Sequence, residues 1–108
     1  MNGLGRYEEA IKEFDAAIAA NPDYVFAYNN KGYALLKTGH IHEAKELILQ
    51  ALSMDMGSAF AYRNLALVNI EEKNKSEALA NIDKALFYRY RERIGDDIDE
   101  VAEQANAL

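Results

Sequence analysis

Tyr7, Ile11, Phe14, Ala17 and Ile18 recur mostly three or four residues apart, with Glu8, Lys12, Glu13 and Asp15 largely filling the positions between them. That spacing gathers the apolar set on one face of a helix and the charges on the other. The arrangement returns when the chain is shifted by 34 residues: Ala10, Ala44 and Ala78 coincide, as do Glu9, Glu43 and Glu77, and Ala17, Ala51 and Ala85. Ile18, Leu52 and Leu86 match as well, and Phe14, Ile48 and Ile82 keep a large apolar residue at one point. Three copies of one helix are legible. A second set occurs twice, pairing Phe26 with Phe60, Ala27 with Ala61, Tyr28 with Tyr62 and Asn30 with Asn64. It marks a second kind of helix, in which Tyr28, Gly32 and Leu35 share a face and Gly32 removes a side chain where two helices cross.

Turn residues separate these helices at Asn21-Pro22-Asp23, Thr38-Gly39-His40, Asp55-Met56-Gly57-Ser58 and Lys73-Asn74-Lys75-Ser76. Ser58 is placed to cap the helix that follows, and Asn74 with Glu77 three residues later resembles a capping box. The pattern predicts helices over 6–20, 25–38, 42–54, 59–72, 76–94 and 97–106. The fifth is expected to run long, since no turn residue follows Leu86 until Gly95, which suits a left-handed position before Asp96 caps the last helix.

A period of 34 residues built from two helices and two turns resembles the tetratricopeptide repeat family. Tyr28, Gly32, Gly39, Ala44, Ile48 and Ala51 carry the likeness in one unit, and Tyr62, Leu65, Ala78, Ile82 and Ala85 in the next. The resemblance implies an all-α fold of antiparallel helix pairs stacked as a short right-handed superhelix with a C-terminal capping helix. It divides one domain, 1–108, into a half repeat 1–24, repeats 25–58 and 59–92, and a capping helix 93–108. Several positions depart from the family pattern. Lys31 stands for the usual leucine, Ala66 for glycine, Met56 and Tyr90 for proline, and Leu35 and Asn69 for a common aromatic. Lys31 and Asn69 bring polar atoms to core positions.

The family likeness also implies a function, protein–protein interaction through a concave groove that binds an extended peptide or a partner helix. By analogy the groove positions are Phe26, Asn29, Asn30, Tyr33 and Lys37 in one unit and Phe60, Arg63, Asn64, Leu67 and Glu71 in the next. Asn30 and Asn64, one period apart, are expected to point outward and pair with peptide groups of a ligand, while Phe26, Phe60, Tyr33 and Leu67 offer apolar pockets. Some family members grip a ligand's C-terminal carboxylate with basic residues on these helices. Phe60 and Asn64 occupy such positions here, which disfavours that use.

Length and composition narrow the classes further. The 108 residues suit one domain, half of them hydrophobic and 28% charged, with a single proline, as in a folded helical protein. A formal charge of -6 and a pI near 4.8 argue against nucleic acid as a partner. There is no cysteine, and no apolar run approaches the roughly 20 residues of a membrane span, so a cytoplasmic, membrane-free protein is expected. His40 and His42 lack further ligands for a metal. Glu9, Glu43 and Glu77 are features of the repeat and not an acid–base pair. Asn74-Lys75-Ser76 matches a glycosylation acceptor by chance. Arg89, Arg91 and Arg93 spread around their helix without forming a stripe. No catalytic residue, cofactor or metal is therefore expected, and the chain reads as not an enzyme. An alternative is an assembly module that pairs with a second copy as a homodimer. It would use Tyr7, Ile11, Phe14 and Ile18, left without one neighbour because the first unit lacks its first helix.

Overall fold

The computed structural model describes residues 3–92 and 97–108, and these form six α-helices with no strand. They are α1 (Gly3–Ala20), α2 (Val25–Lys37), α3 (Ile41–Met54), α4 (Ala59–Glu71), α5 (Lys75–Glu92) and α6 (Asp97–Asn106). The chain divides into two compact units, Met1–Asp55 with α1 to α3 and Met56–Leu108 with α4 to α6. In each, helices joined by three or four residues fold back on one another as antiparallel pairs.

In the first unit α2 packs against both α1 and α3. A turn at Asn21 starts it: Asn21 Oδ1 accepts from the Asp23 amide at 3.2 Å and the Tyr24 amide donates to the Asn21 carbonyl at 3.1 Å. Tyr28 then donates its hydroxyl to the Pro22 carbonyl at 2.7 Å, tying the helix to its own entry turn. Gly32 is where α2 and α3 meet most closely. A Cβ there would lie 2.8 Å from Ile48 Cγ1 and 3.3 Å from the Ala44 carbonyl oxygen, so the missing side chain is a packing requirement. Lys31, the polar intruder of the sequence, is neutralised by Asp15 of α1, with Nζ 2.6 Å from Oδ1.

In the second unit the pair α4 and α5 repeats the pair α2 and α3. Tyr62 donates to the Met56 carbonyl at 3.2 Å, the counterpart of the Tyr28 bond; because the acceptor is backbone, methionine serves where proline stood. Ser58 caps α4 as expected, its hydroxyl oxygen accepting from the Ala61 amide at 3.2 Å. Asn69, the second polar intruder, accepts from Asn81 of α5 at 2.7 Å and donates to Glu72 at 3.2 Å. Both α2 and α4 end alike. Backbone bonds run from His40 to Leu35 and from Gly39 to Leu36, and one period later from Asn74 to Asn69 and from Lys73 to Ile70. These pairs define Schellman turns, with the left-handed position held by Gly39 (φ 88°) and by Lys73 (φ 59°).

The core of the second unit joins Ala59 and Ala66 of α4, Ala78, Ile82 and Ala85 of α5, and Ile98, Val101 and Ala105 of α6. Lys75 Nζ also reaches the Asn106 carbonyl at 3.3 Å, pinning the end of α6 to the start of α5. Helix α1 begins at Gly3, earlier than the 6–20 read from the sequence. Helices α1 and α3 end one period apart, at Ala20 and Met54, whereas α5 passes the matching Tyr88 and continues to Glu92. The long fifth helix is thus present. The roles given to Gly95 and Asp96, and Arg93 of the basic trio, lie outside the described residues.

Candidate ligand-facing positions on α2 and α4

On α2 the first candidate is Phe26, which keeps 53% of its surface exposed and stacks on Tyr24 with ring centroids 6.3 Å apart. Asn30 is half-buried one turn on, and Asn29 beside it is buried. Tyr33 is half-buried, edge-on to Tyr7 of α1 at 6.3 Å, with the Lys37 ammonium 5.4 Å from its ring centre. The stripe therefore presents one open aromatic and an amide, then an aromatic held from two sides.

On α4 the same positions are more enclosed. Phe60 and Leu67 are half-buried and pack against the core shared with α5 and α6. Arg63 lies with its guanidinium carbon 5.3 Å from the Phe60 ring centre, and its Nε and Nη2 donate to Asn64 Oδ1 at 3.1 and 2.9 Å. Asn64 is not presented outward: it keeps 1% of its surface and is among the largest fully buried side chains. The reason is visible in α4 itself, where Ala59, Ala61, Asn64, Leu65, Ala66, Val68 and Asn69 are all buried, so most of its circumference is enclosed. Arg63 is half-buried on this stripe, and Glu71 is exposed at its end.

Sequence reasoning passed over one cluster in the second unit. Tyr62 and Tyr88 stack at 5.9 Å and 10°, Lys84 Nζ sits 5.5 Å from the Tyr62 ring centre, and Phe87 meets Tyr88 edge-on at 4.9 Å. Tyr62 reads in the sequence as a repeat marker, and Phe87 and Tyr88 stand where α3 has Ser53 and Met54. The α1 set, Tyr7, Ile11, Phe14 and Ile18, is half-buried throughout. Among the described residues no three His, Asp or Glu side chains come together in a way that would hold a metal ion.

Two family models match the chain, one described as TPR repeat over residues 3–39 and one as tetratricopeptide repeat over residues 27–55. The chain belongs to the tetratricopeptide repeat family. Named relatives extend the likeness. This tetratricopeptide repeat chain is 43% identical over 82 residues to protein O-mannosyl-transferase TMTC3 of Homo sapiens, covering 75% of the chain and 9% of that protein. It is 32% identical over 82 residues to protein O-mannosyl-transferase TMTC1 of Homo sapiens, covering 76% of the chain and again 9% of the relative's length. It is also 29% identical over 65 residues to the uncharacterized protein ycf37 of Guillardia theta, covering 60% of the chain and 36% of that protein. The chain therefore spans a small part of these relatives.

These names correct the expectation that the chain is not an enzyme. The TMTC relatives it matches are named as transferases. A repeat pattern reports on packing and does not decide whether a protein is an enzyme. Among the described residues, no helix of the tetratricopeptide repeats is long and apolar enough to cross a membrane.

Proposed function

We propose that this chain is a protein–protein interaction module that holds an extended peptide or a partner helix, with the stripe on α2 and the stripe on α4 each taken by itself as a contact surface. The observation that carries this reading is the state of Arg63. Its guanidinium is oriented by the Phe60 ring and by two bonds to the buried Asn64, so it is held in place before any ligand arrives. Ordering a long side chain in advance lowers the entropic cost of binding. Phe26, open and stacked on Tyr24, supplies an aromatic surface on the other stripe. The relatives named protein O-mannosyl-transferases act on proteins by name, which suits a module that holds acceptor polypeptide.

The test is selection of binding peptides from a library of extended, serine- and threonine-rich sequences, followed by titration of variants. Asn30→Ala and Arg63→Ala are each expected to weaken the selected peptides by about 5- to 100-fold, the loss of a hydrogen bond to a desolvated partner. Asn64→Ala is expected to act through Arg63 and to add little to Arg63→Ala. Unchanged affinity in Phe26→Ala, Asn30→Ala and Arg63→Ala, with helicity intact by circular dichroism, would sink the reading.

A further inference from the structure

Asn74-Lys75-Ser76 matches a glycosylation acceptor, and a cytoplasmic chain would make that match accidental. The structure of the turn between α4 and α5 favours use of the match. All three side chains are exposed, within a stretch from Glu71 to Glu77 that is exposed throughout. The same repeat positions hold His40-Ile41-His42 and Arg6-Tyr7-Glu8, and there the middle residue is apolar and half-buried. Lys75 instead stays at the surface, with its ammonium 3.3 Å from the Asn106 carbonyl at the end of α6.

The polar atoms of the motif divide in the same sense. Asn74 gives its backbone amide to the Asn69 carbonyl at 2.9 Å, and its own carbonyl accepts from Ala78 at 3.0 Å. Its side-chain Oδ1 caps α5, accepting from the Glu77 amide at 3.3 Å. Among the described residues Nδ2 has no hydrogen-bond partner, and Nδ2 is the atom that carries an N-linked sugar. The hydroxyls of Thr38, Ser53 and Ser58 are all tied to backbone groups. Ser76, whose hydroxyl completes the motif, is exposed and makes no such bond among the described residues.

We propose that Asn74 carries an N-linked glycan. The proposal rests on the reading above that the module holds acceptor polypeptide, because that work and N-linked glycosylation both need a compartment where sugar reaches protein. The bond that forms joins Nδ2 to the anomeric carbon of an oligosaccharide carried on a lipid pyrophosphate. The bond that breaks links that carbon to the pyrophosphate oxygen, which leaves with the electron pair, while one Nδ2 proton passes to solvent. Oδ1 keeps its lone pairs, so the cap on α5 survives modification. The first-turn amides of α5 have no intrahelical carbonyl to give up, so this turn opens to a transferase at little cost. Phe60 and Arg63 lie near the opposite end of α4, which leaves them clear of the glycan.

Peptide mass spectrometry of the protein taken from its own cells tests this. Asn74 is expected to bear N-acetylhexosamine and hexose, released by an amidase that cleaves Cγ–Nδ2 and leaves aspartate behind. Ser76→Ala and Asn74→Asp, expressed in the same cells, should each abolish the glycan. Both retain an oxygen that caps the Glu77 amide, so helicity by circular dichroism should match the parent. An unmodified Asn74 in the folded protein, or a glycan that persists in Ser76→Ala, would overturn the proposal. Titrating selected peptides into the unglycosylated chain keeps the two readings apart. Binding without a glycan on the native protein removes this proposal alone, and a glycan without binding removes the interaction reading alone.

Discussion

Asn69 and Asn81 form a buried amide pair where the first unit has Leu35 and Leu47. One unit fills these repeat positions with a hydrogen bond and the other with apolar atoms. Asn81→Ala leaves the Asn69 oxygen in the interior without its donor, and an expected loss of about 1–3 kcal/mol should appear in urea denaturation. Copying the other unit with Asn69→Leu and Asn81→Leu together should recover stability to within about 1 kcal/mol of the parent, since removing both partners spares the desolvation cost. A double variant no better than Asn81→Ala would show that the two units are not interchangeable here. At this scale the sequence was a partial guide. It flagged Lys31 and Asn69 as polar residues in core positions, but their partners, Asp15 and Asn81, sit on other helices at separations that no local pattern encodes.

At the level of elements, the hydrophobic period located all six helices because alanine and aliphatic residues recur on a fixed face. The helix ends were legible wherever a side chain makes the cap, as at Ser58, and less so where the backbone does. The turn after α4 is a case of the second kind. Its left-handed position holds Lys73 at φ 59°, where the equivalent turn after α2 has Gly39. A side chain with a Cβ costs roughly 1–2 kcal/mol in that conformation, so Lys73→Gly is expected to stabilise the second unit by about 1 kcal/mol. Thermal unfolding followed by circular dichroism checks the sign; a lower midpoint would mean that the lysine stem makes up the strain elsewhere. Helix α4 also explains why Asn64 was misplaced. Reading an outward stripe assumes one wet face, and a helix enclosed around most of its circumference breaks that assumption.

For the whole molecule, the repeat period was legible and the assignment of a non-enzyme was not, because the transferase names belong to proteins of which this chain matches 9%. Residue patterns report on packing, and packing is common to repeats in very different proteins. The tyrosine bonds to the carbonyls six residues back, Tyr28 to Pro22 and Tyr62 to Met56, lead to a property of a different kind. They close loops of only a few residues, and the Schellman turns and the packing of consecutive helices are nearly as local. Chains whose native contacts are short in sequence reach their transition state with little loop-closure entropy, and folding is expected in microseconds to milliseconds. Stopped-flow refolding should be complete within the dead time or a few milliseconds. Tyr62→Phe keeps the ring and removes the latch, so any slowing it causes would place the entry turn inside the folding nucleus, and a change confined to the unfolding rate would place its formation late.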